Sequence, residues 1–150
     1  GNNYKFLHGD RLGKPYWRLR CAVWFSTYGL SSNAFTLPYD SQSPVSKKRV
    51  QYRTKKDILG EIQMVIEESN EQGFDIGQSL YFQMPLFCNP PFIVSEWCWQ
   101  MISDYFSIKR FNIPLARDLD SVDAWTLDCF NVIDDEVEKI KKFEVNKNGS

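Results

Sequence analysis

The side chains with the clearest capacity for binding chemistry are positively charged residues interleaved with aromatic rings in the first third of the chain. Lys and Arg attract phosphate groups, and aromatic rings offer flat faces on which bases stack. The candidate binding residues are Tyr16, Arg18, Arg20, Trp24, Lys47, Lys48, Arg49, Arg53 and Lys55. Their pattern predicts a non-enzymatic surface for DNA or RNA.

Charge is divided unevenly along the chain. Residues 1–57 hold eleven Lys and Arg against three Asp and Glu, a net charge of +8, whereas residues 58–150 carry −9, which together give the −1 of the whole chain. A division of this size creates a strong field along the molecule. A length of 150 residues predicts a single domain, with a basic sheet-rich half and an acidic helix-rich half.

The acidic half supports a second hypothesis from a different class. The acidic residues of the last predicted helix and its approach lie at mixed angles, which favours a solvated outer face over convergence on one Mg²⁺. They are Asp118, Asp120, Asp123, Asp128, Asp134, Asp135, Glu136 and Glu138. An acidic face of this kind can engage a basic partner, as small inhibitors and immunity proteins do. A protein–protein interaction module, using acidic helices or exposed aromatic residues, is therefore the open alternative.

Residue types that support catalysis or metal binding are scarce. His8 is the only histidine, and the chain has neither a Gly-x-Ser-x-Gly motif nor a phosphate-binding loop. The four cysteines have no CxxC spacing and lie among apolar residues, which predicts buried free thiols in a reducing, cytoplasmic setting. We expect no enzymatic activity, no cofactor and no metal, and no apolar run is long enough to cross a membrane.

One short motif resembles part of an enzyme family. Asn89-Pro90-Pro91-Phe92 follows the apolar run LFC and resembles the NPPF/Y loop of amino-methyltransferases that act on adenine. The resemblance implies a glycine-rich cofactor loop earlier in the chain, and none precedes it here. We therefore interpret the motif as a structural double-proline turn outside helix and strand, and expect no binding of S-adenosylmethionine.

The front of the chain has the patterns of strands and turns. Alternating apolar residues predict a first strand at 17–23, a returning strand at 34–39 and a third at 49–53, with a loop at 40–46. On this prediction the arginines of the first and third strands form one positive sheet surface. The order of elements up to residue 72 resembles the three-stranded DNA-reading domains of phage integrases. Nothing after residue 90 resembles a recombinase catalytic domain.

The rest of the chain predicts mostly helix. Thr54 and Asp57 form a capping-box pattern for a helix that ends at Gly73. Residues 79–87 predict a strand, Ser95 caps a second helix, residues 111–118 form a connector, and a last helix runs from residue 120 or 121 to about 143.

The expected fold is α+β, with a small antiparallel sheet packed against about three helices. Helical and strand periodicity also predicts which side chains meet in its core. These are Ile62, Val65, Trp97 and Met101 from the helices and Trp17, Leu19 and Val23 from the first strand.

Overall fold

The computed structural model describes residues 16–31, 35–112 and 123–149. Its elements in chain order are α1 (Trp17–Tyr28), β1 (Tyr39–Gln42), β2 (Arg49–Tyr52), α2 (Lys55–Gln72), α3 (Ile76–Gln83), α4 (Pro90–Ile93), α5 (Glu96–Phe111) and α6 (Ala124–Asn148), with a 3₁₀ turn at Met84–Leu86. The expected α+β class is confirmed, but the described residues form six helices rather than about three. His8, most of the predicted connector and the predicted start of the last helix lie outside the described residues.

The helix α1 is the centre of the fold, and the prediction of a strand at 17–23 is wrong. It packs against α3, α5 and α6. Nearly every side chain from Trp17 to Phe25 is buried, including Arg18 at 6% exposed. A helix that is buried all round shows no 3.6-residue polarity pattern. In α1 the bulky apolar residues Trp17, Leu19 and Cys21 alternate with Arg18 and Arg20, which is also the pattern of a half-buried strand.

The sheet is a two-stranded antiparallel ribbon. The strands β1 and β2 pair with Tyr39 opposite Tyr52 and Gln42 opposite Arg49. The predicted third strand is therefore confirmed as β2. The returning strand expected at 34–39 is wrong, since pairing begins only at Tyr39, and the loop expected at 40–46 starts after Gln42. With α1 helical, the three-stranded order that resembled integrase domains is absent from the described residues.

The helix α2 has the predicted bounds and caps. Thr54 and Asp57 form the capping box, and Gly73 ends the helix at a φ of 76°, in the left-handed region that glycine adopts readily. Ile62 and Val65 are fully buried. They join the core predicted from periodicity, in which Trp17, Leu19, Val23 and Met101 are buried and Trp97 is partly buried.

The segment predicted as a strand at 79–87 is helical instead. Asp75 caps α3 by accepting a hydrogen bond from the Gln78 amide, and Pro85 lies within the following 3₁₀ turn. The absent side chain of Gly77 lets α3 approach α1 and α6 closely, because a Cβ there would lie 2.7 Å from Glu136 Oε2. Apolar composition alone did not distinguish this short buried helix from a strand.

The double proline also occupies a helix. Pro90 and Pro91 are the first two residues of α4, where missing amide hydrogens cost nothing. The expectation that consecutive prolines exclude a helix was therefore wrong at this position. Ser95 precedes α5 as predicted. The last helix α6 extends to Asn148, beyond the predicted end near residue 143.

Candidate nucleic-acid interface

The outer face of the ribbon is polar and exposed. Along β2, Arg49 and Gln51 are exposed while Tyr52 is buried, as the two-residue period of a strand requires. Arg53 continues this face, because its Nε donates a hydrogen bond to Gln51 Oε1 at 2.9 Å. Two arginines therefore lie on one side of the ribbon, away from the core.

The turn between the strands presents two more cations. The Lys47 amide donates to the Ser43 carbonyl at 3.0 Å, and the Ser43 amide donates to the Lys48 carbonyl at 2.8 Å. Lys47 has a φ of 64°, a conformation that closes the turn. Both lysine side chains are exposed, so the tip of the ribbon carries two adjacent positive charges.

The buried carboxylate of Glu61 attaches the ribbon to α2. Ser43 Oγ donates to Glu61 Oε2 at 2.7 Å, and the Tyr52 hydroxyl donates to Glu61 Oε1 at 3.0 Å. Glu61 is only 5% exposed, and Ser43 Oγ also accepts the backbone amides of Val45 and Ser46. One carboxylate therefore holds the turn and the end of β2 in fixed positions relative to the helix.

The start of α2 adds two lysines at its N-terminus. Lys55 and Lys56 are exposed in the first turn, where the helix dipole also favours anions. Asp57 Oδ2 accepts the amides of Arg53 and Thr54 at 2.8 and 3.2 Å, and these hydrogen bonds lower the pKa of Asp57. This carboxylate is thus committed to the cap, beside the lysines.

We call the six cations Lys47, Lys48, Arg49, Arg53, Lys55 and Lys56 the basic ribbon. All six are exposed. None of the ion pairs formed among residues 16–31, 35–112 and 123–149 involves any of them. Their positive charge is therefore directed to solvent.

The predicted site residues of α1 lie elsewhere and have internal partners. Arg18 is buried, stacks 4.3 Å from the Trp17 ring centroid and donates to the Ile93 carbonyl at 3.2 Å. Burial lowers its pKa. Trp24 is fully buried, and the Tyr16 hydroxyl donates to Asp128 at 3.4 Å. The expectation that α1 arginines share a strand face with Arg49 and Arg53 is wrong.

Arg20 belongs to a charge cluster between α1, α3 and α6. Its Nη1 lies 2.8 Å from both Asp135 Oδ2 and Glu136 Oε1. Glu136 is fully buried and also accepts from Trp24 Nε1 at 2.8 Å, while Lys139 lies 2.8 Å from Asp75. The prediction that Glu136 lies on a solvated outer face is therefore wrong. Glu136 follows Cys129 and Ile133 at the spacing of the buried face, a signal in the sequence that could have revealed this cluster.

The acidic residues of α6 are largely paired within the molecule. Asp135 contacts Arg20 and Lys139, Asp134 accepts from the Tyr105 hydroxyl, and Glu138 lies 3.2 Å from Lys141. Asp134 also lies 3.7 Å from Lys109. The acidic helix therefore neutralises cations of its own chain.

The surface formed by the described residues includes a cavity above the charge cluster and another beside the basic ribbon. One, of about 700 Å³, lies above the charge cluster and is lined by Phe74, Phe143 and Lys142 among others. The other, of about 360 Å³, lies beside the basic ribbon and is lined by Phe35, Thr36, Leu37, Tyr39, Ile58, Asn89 and Phe92.

The cysteines match the sequence prediction. Cys21, Cys88, Cys98 and Cys129 are all buried and free, and burial raises the pKa of each thiol. The described residues contain no group of three or more side chains placed to hold a metal ion. Among the same residues, no helix is both long and apolar enough to span a membrane.

Comparison with known proteins gives no assignment. No protein-family model, no curated protein and no solved structure matches this chain.

Proposed function

We propose that this chain is a non-enzymatic nucleic-acid-binding protein that contacts phosphates through the basic ribbon. The observation that carries the proposal is the set of six exposed cations without ion-pair partners among the described residues. Only Asp40 and Asp57 are acidic between residues 39 and 57, so the segment keeps a net charge of +4. Polyanions are attracted to a concentration of charge of this kind.

The shape of the ribbon supports the same proposal. A two-stranded antiparallel ribbon fits the major groove of duplex DNA. Arg49, Gln51 and Arg53 line its exposed face, and guanidinium and amide groups are those that bind phosphates and base edges. The helix N-terminus at Lys55 adds backbone dipoles with the sign that favours phosphate.

The protein–protein alternative has weaker support. An acidic docking face would use Asp134, Asp135 and Glu138, and these three carboxylates have partners within the chain. Exposed rings such as Phe74 and Phe111, at 64% and 63%, are the remaining support for it. Single exposed apolar residues are common on protein surfaces, so they favour no particular partner.

The test compares two charge-matched double variants by fluorescence anisotropy with labelled DNA and RNA. Arg49→Gln/Arg53→Gln removes two ribbon charges, and we expect weaker binding and a salt slope shallower by about 1.8 on duplex, at about 0.9 per phosphate. The control Arg110→Gln/Lys141→Gln removes the same charge from α5 and α6. It should keep the wild-type slope.

Folding is checked separately in both variants. Exposed charges contribute little to stability, so each variant should keep the wild-type unfolding midpoint in urea. Equal slopes for the ribbon variant and the control would show that phosphate contact, where it occurs, lies outside the ribbon. Binding of a protein partner that is lost on reversal of Asp134, Asp135 and Glu138 would favour the alternative.

A further inference from the structure

We propose that the cavity beside the basic ribbon receives one unstacked base of a single-stranded nucleic acid. The inference rests on the proposed function: the basic ribbon would contact phosphates, and the cavity would contact a base. Three observations carry it: aromatic walls, continuity with the basic ribbon, and a buried hydrogen-bond acceptor without a partner.

The cavity has the dimensions and lining for a flat ring. Its volume of about 360 Å³ is at the lower end of the ~300–1,000 Å³ typical of ligand pockets. Phe35, Tyr39 and Phe92 contribute rings to its walls, and the Phe35 and Tyr39 centroids lie 4.8 Å apart. Phe92 is 46% exposed, and Lys55 Nζ lies over its ring. Bases of any identity stack on such rings.

The cavity and the basic ribbon are continuous. Lys55 is one of the six cations of the basic ribbon, and its Nζ lies 5.2 Å from the centroid of the Phe92 ring. Tyr39 lines the cavity from β1, and Ile58 lines it from α2, the helix that also carries Lys55 and Lys56. A strand whose phosphates lie along the ribbon therefore has a ring-lined cavity within reach of its bases.

Asn89 supplies the polar feature of the cavity wall. Its Nδ2 donates to the Phe35 carbonyl at 2.8 Å, which fixes the orientation of the side-chain amide. The opposite atom, Oδ1, is buried and accepts no hydrogen bond from the described residues. A buried acceptor without a donor costs free energy. A base that carries a ring N–H or amino group would supply the donor.

The experiment separates the base from the backbone. Binding of a labelled single-stranded oligonucleotide is compared with binding of an oligomer of equal length in which every position is abasic. We expect the abasic oligomer to bind about 5- to 160-fold more weakly, at the ~1–3 kcal/mol measured for one stacked base. Both should have the same salt slope, because their phosphates are identical.

Two matched protein variants locate the effect. Phe92→Ala should lower affinity for the base-containing oligomer by a similar factor without changing the salt slope. Phe106→Ala, at a ring of nearly equal exposure on α5, 44% against 46%, should change neither. Urea unfolding of Phe92→Ala and Phe106→Ala should give the wild-type midpoint, so that a change in affinity reports binding rather than folding.

The possible outcomes distinguish failure of the cavity proposal from failure of the basic ribbon. Salt-dependent binding that is equal for both oligomers and insensitive to Phe92→Ala overturns the cavity proposal but leaves the ribbon intact. Absence of all nucleic-acid binding overturns both. Tighter binding of a Trp- or Tyr-containing peptide than of any oligonucleotide, lost in Phe92→Ala, assigns the cavity to a protein ligand and also overturns the proposal.

Discussion

The buried carboxyl group of Glu136 makes the stability of the fold depend on pH. Burial, with Asp75 nearby, raises the pKa of Glu136 to about 8, although Arg20 and Trp24 donate to it. Burial also disfavours the charge of Asp75, but hydrogen bonds involving Glu136 and Lys139 outweigh this and lower its pKa. The pair therefore retains one proton at neutral pH. When Glu136 carries that proton, the two positive charges of Arg20 and Lys139 equal the two negative charges of Asp75 and Asp135.

The sign of the effect follows from linkage. The folded chain keeps a proton that the unfolded chain releases near the ordinary Glu pKa of 4.5. The stabilisation from Glu136 is therefore complete below about pH 4.5 and is lost as pH rises through about 8. At about 1.36 kcal/mol per pH unit, the whole loss is at most roughly 5 kcal/mol. The depressed pKa of Asp75 acts in the opposite sense, with its contribution lost only as pH falls in the acid range.

The variant Glu136→Gln replaces the ionisable carboxyl group with an amide of nearly the same shape. Its amide offers one acceptor to the two donors of Arg20 and Trp24, so we expect a loss of about 1–3 kcal/mol at pH 5. The difference in the free energy of unfolding between this variant and wild type should become smaller towards pH 8. Urea unfolding monitored by helical circular dichroism at each pH from 5 to 9 measures both curves.

The control is Glu71→Gln, at an exposed position of α2. Its curve should run parallel to that of wild type, because its carboxyl group is solvated. A wild-type curve that is level between pH 5 and 8, or a Glu136→Gln curve parallel to wild type, would refute the reasoning.

Two further predictions concern packing, and urea titration at neutral pH checks both. Ile62→Ala should lower the free energy of unfolding by about 2–5 kcal/mol, because Ile62 is fully buried. The control Met64→Ala, at a residue 38% exposed on the same helix, should lower it by less than about 0.5 kcal/mol. A small loss for Ile62→Ala would contradict the place of Ile62 in the core. Gly77→Ala should destabilise by about 1–3 kcal/mol, since its Cβ would lie 2.7 Å from Glu136 Oε2 and 2.9 Å from the Arg20 carbonyl. Gly60→Ala, with open space around the added carbon, should instead stabilise by about 0.5–1 kcal/mol, and similar effects at the two glycines would contradict the close helix contact.

Sequence patterns predicted the amphipathic elements well. The helix α2 has one apolar face and one polar face, and caps at Thr54 and Gly73 mark its ends. The strand β2 alternates exposed and buried residues. In both, one side faces water, so the period of the polar residues reveals the conformation.

The patterns failed where elements are buried on most sides. The helix α1 has apolar residues around its circumference, and its Arg18 is buried against the Ile93 carbonyl rather than exposed. Without a solvent-facing side, no period distinguishes such a helix from a strand. The predicted binding site was correct only in part for the same reason. The predicted cations of β2, its turn and the start of α2 lie on one exposed surface, whereas Arg18, Arg20 and Trp24 of α1 have partners inside the protein.

Binding of the unmodified chain to nucleic acid at low salt tests the central claim most directly. Fluorescence anisotropy with several labelled duplex and single-stranded probes should give saturable binding that weakens steeply as salt is added. Each phosphate contact should contribute a log–log slope of about −0.9 on duplex and about −0.7 on single strands. A flat titration with every probe at low salt would contradict the assignment of the basic ribbon as a nucleic-acid-binding surface.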